Sequence, residues 1–340
     1  MALINSLTSG VSAIKTYTKG LEVIGNNIAN VNTTAFKKQR VEYADSFYNT
    51  LRNSGASDPS GGSNQTAAQV GNGVGVSGIT SSYTQGPVEA TGIPSDLSIE
   101  GNGFFVVRDS VSDRQFVTRM GNFRVDDQGY IVTQGGFRLQ GMISDAPSYT
   151  ATGDTLDNLA FAKSVPAATF GDMRIPQPDL TVGGNITNNT DTDPVAGGNQ
   201  NIPDADVEAA AKESFLVDSF SFDESGNFYV LFANGDVETM GQLLLQDFND
   251  PQALVREGNG LFTGMDAAGP KSGSMNMTVA DNSAGVGGLG IVRSQALELS
   301  NVDLTEEFSN MITVQRSFQA GARVITTSDE FLQEIVNLKR

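Results

Sequence analysis

The sequence predicts an α+β protein. Long N- and C-terminal helices pair as a coiled-coil-like α domain, and between them lies a β-rich middle domain carrying an inserted β-rich outer domain. Three features lead there. Both ends repeat apolar residues at alternating spacings of four and three. The region between them alternates apolar and polar residues and is punctuated by glycine turns. A polar, Gly/Asn-rich tract interrupts that region.

At the N-terminus, Leu3, Leu7, Gly10, Ile14, Tyr17, Leu21, Ile24, Ile28 and Val31 keep the spacing without a break, with Gly10 the one weak member. At the C-terminus, Leu304, Phe308, Met311, Gln315, Phe318, Ala322, Ile325, Asp329, Leu332 and Val336 follow the same rule, with Gln315 and Asp329 the polar members. Asn301 or Asp303 is placed to cap the entry to this second helix. A two-in-seven stripe is narrow and suits a helix lying along another helix rather than on a broad core. Two such stripes at opposite ends suggest a pair; two separate amphipathic surface helices are the plainer alternative. Asn26, Asn27, Asn30 and Asn32 interrupt the end of the first stripe, ahead of Thr33 and Thr34. Side-chain amides there can satisfy the last helical carbonyls or cap the following turn.

Between the ends, 102–109, 123–141 and 216–237 read as strands joined by glycine-containing turns. The stretches "FRVDDQGYIV" and "FSFDESGNFYV" resemble each other and read as two hairpins of one β domain that the chain enters twice. Residues 53–70 read as irregular or flexible, 183–204 as exposed loops of an inserted domain, and 205–215 as a short helix. The expected organisation is a terminal helical domain of 1–45 with 300–340 and a connecting segment of 46–90. A middle β domain spans 91–144 with 216–299, and the inserted outer domain spans 145–215.

Composition narrows the chemistry. The 340 residues include no histidine, cysteine or tryptophan, which excludes a His-based triad, a thiol nucleophile and a Cys/His zinc cage. No enzyme activity, cofactor, metal or catalytic residue is expected. The net charge of −18 sits in the middle of the chain: residues 1–52 hold six Lys/Arg against three Asp/Glu, and 301–340 hold four against six. Such acidity opposes nucleic-acid binding and reads as a solvated surface. No apolar run approaches the ~18 residues of a membrane span, and no basic-then-apolar leader opens the chain, so neither membrane insertion nor signal cleavage is expected.

Three local motifs have structural explanations. Gly285, Gly287 and Gly290 match the spacing GxGxxG, but no apolar strand precedes them and no helix follows, so they read as a flexible glycine linker. Asp126–Asp127 and Asp223–Glu224 lack the alternating oxygens and distal Glu of a calcium loop and read as hairpin turns. Glu306–Glu307 fall in the first turn of a helix, where the dipole favours negative charge.

"GNNIANVNTTAFKKQRVEYADSFY" (25–48) resembles the signature of the bacterial flagellar rod and hook axial family, N-(L/I)-A-N-x-N-T-x-G-F-K. Asn27, Ile28, Ala29, Asn30, Asn32, Thr33, Phe36 and Lys37 match, and Ala35 stands where the family has glycine. The resemblance continues through 73–107, 116–141, 226–263 and 293–340; residues 145–215 correspond to its variable outer insertion. It is nearest to the hook members, the distal rod members being similar at both ends but usually shorter. It implies a helical homo-polymer around a narrow channel, with the terminal helices lining the inner tube and the insertion outward. The implied partners are other axial proteins of the rod and hook–filament junction, the hook cap and the type III export apparatus. The implied location is the flagellum, outside the cell. A secreted β-rich binding module or adhesin is the rival class, and it leaves the two terminal seams unexplained.

Overall fold

The computed structural model describes residues 2–55, 64, 66–143, 148–152, 160–164, 169–175, 217–233, 235–271 and 277–338. It is a mixed helix-and-sheet chain in two compact units, residues 1–86 with 300–340 and residues 87–299.

In the first unit, helix α1 (Ala2–Ala29) is followed by strands β1 (Gln39–Asp45), β2 (Tyr48–Arg52), β3 (Ala68–Gly71) and β4 (Val74–Ser81), and the chain returns through the long C-terminal helix α2 (Leu304–Leu338). β1 pairs antiparallel with β4 and β2 with β3. The Ser46 N–H donates to the Gly73 carbonyl and the Asn72 N–H to that of Phe47, which joins the two ladders into one long ribbon. Of the connecting segment expected at 46–90, the part up to residue 86 carries β2, β3 and β4 and belongs to the same unit as the helices. β3 also takes the end of the stretch expected to be flexible, while residues 56–63 and 65 lie outside the described residues.

The second unit opens with β5 (Val88–Ala90), β6 (Leu97–Glu100), β7 (Phe104–Arg108), β8 (Gln115–Thr118), β9 (Arg124–Val125), β10 (Ile131–Val132) and β11 (Arg138–Ile143). β12 (Ser148–Thr152), β13 (Ala160–Ser164) and β14 (Thr169–Asp172) follow. Next come β15 (Val217–Phe222), β16 (Asn227–Phe232), β17 (Val237–Leu243), β18 (Leu245–Gln246), β19 (Val255–Gly258), β20 (Leu261–Thr263), β21 (Ile291–Ser294) and β22 (Ala296–Glu298). The main sheet runs in the order β15-β16-β17-β11-β7-β8-β20-β19, with β14 and the β9–β10 hairpin attached through β11. Both look-alike hairpins thus belong to one sheet. Their inward residues, among them Phe123, Ile131, Phe222, Phe228 and Val230, share a core with Phe105, Leu139 and Leu243.

The hairpin turns close as their sequences require. Asp126 Oδ1 accepts from the Gln128 and Tyr130 N–H groups at 2.9 and 2.8 Å, and Asp223 Oδ1 accepts from the Asn227 N–H at 2.8 Å. Two expectations change. Residues 169–175, assigned to the insertion, are part of the main sheet. Asp172 lies opposite Gln140 and accepts from Arg108, Arg138 and Gln140, so charge pairing draws the segment in. Residues 176–216, including the loops at 183–204 and the helix expected at 205–215, lie outside the described residues. The glycines at 285–290 are a tied loop rather than a flexible linker. Gly290 donates to the Asn102 carbonyl at 2.7 Å, and a methyl group on it would sit 2.4 Å from the Glu100 carbonyl oxygen, so the close approach demands glycine.

Candidate assembly surface

α1 and α2 run antiparallel. Ser6 and Ser328 share a hydroxyl hydrogen bond of 3.0 Å, Gly10 packs on Gly321 and Ile325, Gly20 faces Val314, and Asn27 meets Glu307. Small residues set the approach: a methyl on Gly10 would lie 2.8 Å from Ile325 Cγ1, and one on Gly321 would touch Ala13 and Ile14. α2 begins where the Asp303 carboxylate accepts from the Thr305 N–H at 2.8 Å and the Glu306 N–H at 3.3 Å. Those two bonds, Thr305 first, hold its carboxyl below the usual range. Asn301 does other work. Its Oδ1 accepts from the Lys38 N–H at 2.7 Å while its Nδ2 donates to the Ser82 and Thr84 carbonyls, stitching the entry to β1 onto the exit from β4.

The asparagines divide between local and long-range tasks. Asn30 Nδ2 donates to the Asn26 carbonyl at 2.9 Å, and Thr33 Oγ1 donates to Asn30 Oδ1, which closes the helix end as the sequence suggests. Asn27 is fully buried and behaves like one residue of a strand: its Nδ2 donates to the Gln39 carbonyl at 2.8 Å and its Oδ1 accepts from the Gln39 N–H at 3.0 Å. The same Nδ2 reaches the buried Glu307 carboxylate at 3.1 Å, so one side chain ties α1, β1 and α2 together. Lys37 is also buried, its ammonium donating to the Thr84 carbonyl at 3.0 Å. Ala35 takes the left-handed conformation, φ 54°, and is buried. An L-residue at this φ meets steric strain that a glycine would not.

The residues expected along the seam separate into two groups. On α1, Ile24 is buried and Leu7, Ile14, Tyr17, Leu21 and Ile28 are half-buried; Val31, also half-buried, follows the helix end, and the Leu3 side chain lies outside the described residues. Of the motif residues, Ile28 and Phe36 are half-buried, and Ala29 and Asn32 are exposed. On α2, Met311, Phe318, Ile325 and Leu332 are half-buried, but Leu304, Phe308 and Val336 are exposed. The correction has a simple cause. The inward stripe of α2 runs 307-311-314-318-321-325-328-332, one residue off the expected register at alternate positions. Small Gly321 and Ser328 and the bonded Glu307 make the close contacts that larger side chains would prevent.

Large apolar side chains are left outside. Phe308, Ile312, Phe331 and Ile335 of α2 are 50–59% exposed, and the ribbon presents Phe47 at 88% and Leu51 at 73%. The i, i+4 spacing of Phe308 with Ile312 and of Phe331 with Ile335 is the sequence signal that a single-seam reading passes over. In the single chain these side chains have no cover. The chemistry of this surface is packing: among the described residues no group of three or more acidic side chains is placed to hold a metal. The paired charges at the rim, Lys38–Glu306 at 2.8 Å and Arg40–Glu42 at 3.2 Å, are exposed ion pairs of small energetic weight.

Fold and surface together define a structural subunit, a protein whose terminal helices meet each other on one side and offer apolar surface on the other. Residues 7–37 match the family description "Flagella basal body rod protein", residues 98–190 "Flagellar hook protein FlgE/F/G D1 domain", and residues 293–338 "Flagellar basal body rod FlgEFG protein C-terminal". The chain is 32% identical over 339 residues to the flagellar basal-body rod protein FlgG of Bacillus subtilis, covering 99% of this chain and 100% of that one. It is 30% identical over 449 residues to the flagellar hook protein FlgE of Borreliella burgdorferi, and 25% identical over 429 residues to that of Escherichia coli. Those alignments cover 99% and 98% of this chain and all of each relative. The chain belongs to the flagellar rod and hook family, and is a structural component of the flagellar axial polymer.

Proposed function

We propose that this chain is the subunit of the flagellar hook, self-assembling into a helical tube that serves as a flexible joint carrying torque from rod to filament. The observation that carries the reading is the outward apolar face of α2, present in a chain that aligns from end to end with hook and rod proteins. The terminal helices pack in coiled-coil fashion as the inner tube. The seam residues and the outward phenylalanines meet neighbouring copies, where each fully covered apolar side chain contributes roughly 1.5–3 kcal/mol. Further partners are the adjoining axial proteins, the hook cap and the type III export apparatus, through which the chain passes unfolded. It performs no catalysis.

A second reading, the distal rod protein, is favoured by length. The rod alignment runs 339 residues, whereas the two hook alignments run 449 and 429. Immunogold labelling of isolated hook–basal bodies carrying an epitope-tagged chain separates the two. Label along the curved segment supports the hook; label only on the straight segment beneath it assigns the chain to the rod.

A further inference from the structure

Tyr17 of α1 and Tyr43 of β1 meet edge to face. Their ring centroids lie 5.7 Å apart and their planes are inclined at 62°, a separation at which aromatic rings touch. The local backbone seats the second ring. A β-bulge between Glu42 and Tyr43 interrupts the ladder of β1 with β4 at that point, and a bulge re-aims the side chain beside it. Gly20, one turn beyond Tyr17, then leaves α1 bare where the phenol lies: a methyl group on it would collide with Tyr43 Oη. Tyr43 is 42% exposed and Tyr17 is half-buried, so a small solute reaches the pair. The chain holds no tryptophan and no cysteine, the side chains that most readily return an electron to an oxidised tyrosine. A radical formed on either ring therefore meets a second phenol before it meets a side chain that would quench it.

We propose that Tyr17 and Tyr43 are an oxidative modification site, coupling into an intrachain dityrosine when a one-electron oxidant of the peroxide-derived radical class reaches them. Each ring gives one electron to the oxidant and its hydroxyl proton to water, so one coupling consumes two oxidising equivalents. The two phenoxyl radicals join through a carbon–carbon bond between positions ortho to the oxygens. The hydrogens displaced from those carbons return to the oxygens as the rings become aromatic again. The bond ties α1 to β1 and closes the segment from Tyr17 to Tyr43. It restricts the unfolded chain as a disulfide of that span would, but thiols do not reverse it.

The test is photo-oxidation of the dilute full-length protein with ruthenium tris-bipyridyl and persulfate, followed by isolation of the monomer. The monomer is expected to gain the blue fluorescence of dityrosine and to lose the mass of two hydrogens. Trypsin is expected to release residues 16–19 joined to residues 41–52, with fragmentation placing the bond on Tyr43 rather than Tyr48. The urea midpoint of helix ellipticity is expected to rise in the coupled monomer. Fluorescence confined to oligomers, or a bond to Tyr48, would overturn the proposal. Tyr43→Phe keeps the ring and is expected to abolish the joined peptide; its persistence would overturn the assignment. Gly20→Ala keeps both tyrosines but displaces the phenol, and is expected to lower the yield of joined peptide several-fold. A parent-like yield there would overturn the seating on which the coupling depends. Should either variant lose helix ellipticity, the joined peptide in the parent protein decides by itself.

Discussion

Replacing Asn27 removes three hydrogen bonds at once, two part-buried ones to the Gln39 backbone and a buried one to Glu307. Gln39 is half-buried, so water can partly replace its lost partners, at about 1 kcal/mol each. The Glu307 carboxylate is 4% exposed, and losing a donor there costs about 2–3 kcal/mol. Alanine's better helix propensity returns roughly 0.7 kcal/mol. Asn27→Ala is therefore expected to destabilise the helical unit by about 3–4 kcal/mol. Asn27→Asp is nearly isosteric but sets an anion against the Gln39 carbonyl and the Glu307 carboxylate, so it is expected to be worse at neutral pH and to recover on acidification. Both long helices among the described residues belong to this unit, so helix ellipticity during urea unfolding isolates it. With a slope of about 1.5 kcal/mol per molar urea, the Asn27→Ala midpoint falls by roughly 2–3 M. An alanine variant within about 0.5 kcal/mol of the parent, or an aspartate variant as stable as the alanine one, would refute the clamp.

Ala35→Val places a β-branched residue at φ 54° and is expected to lose about 2 kcal/mol or more. Ala35→Gly stays within about 1 kcal/mol of the parent, because relief of strain is offset by chain entropy and a lost methyl; urea midpoints distinguish the two. Burial pushes the Asp172 carboxyl up, but hydrogen bonds from Arg108, Gln140 and Arg138 outweigh it and hold the group below the usual carboxylate range. A depressed folded value means that its stabilisation is complete above the ordinary unfolded carboxylate pKa and is lost as pH falls through the folded one. Asp172→Asn is expected to cost about 2 kcal/mol at neutral pH and to flatten the acid limb of an unfolding profile followed by near-ultraviolet ellipticity. Ile325→Asp or Leu21→Asp is expected to abolish tubes in the electron microscope while the near-ultraviolet signal of the sheet unit persists; normal tubes would count against the helical seam. Helix ellipticity is expected to rise modestly on polymerisation, since the last turns of α2, where Phe331, Ile335 and Leu338 are exposed, are marginal until covered; equal values in monomer and polymer would defeat that expectation.

The α1 stripe was legible because its large members from Leu7 to Ile28 are all at least half-buried, although Thr16, Gly20 and Asn27, each one position before a stripe member, are buried more deeply than most of them. On α2 part of the stripe faces outward. Glu307, Gly321 and Ser328 face inward because a close crossing rewards small or hydrogen-bonded side chains. A search for apolar period therefore shifts to Phe308, which is large but outward. The turns at Asp126 and Asp223 were readable since their chemistry is local. The long-range bonds of Asn27 and Asn301 were not, because their partners lie 280 and 219 residues away in the chain. Nor does any local pattern disclose that 169–175 joins the sheet, a placement decided by Arg108 and Arg138 meeting Asp172.

That division of side chains bears on how a subunit of this kind gains its rigidity. Within one chain, the helices meet through glycines, serines and half-covered aliphatics, which supply little burial, while directional bonds at Asn27, Asn301 and Asp303 set the register. The large apolar groups Phe308, Ile312, Phe331 and Ile335 are left on the outward face. Hydrogen bonds fix geometry but contribute only about 1 kcal/mol each net, whereas covering several phenylalanines and leucines contributes several times that. A pair of helices built this way is specified in shape before it is secure in stability, so its final rigidity belongs to the polymer.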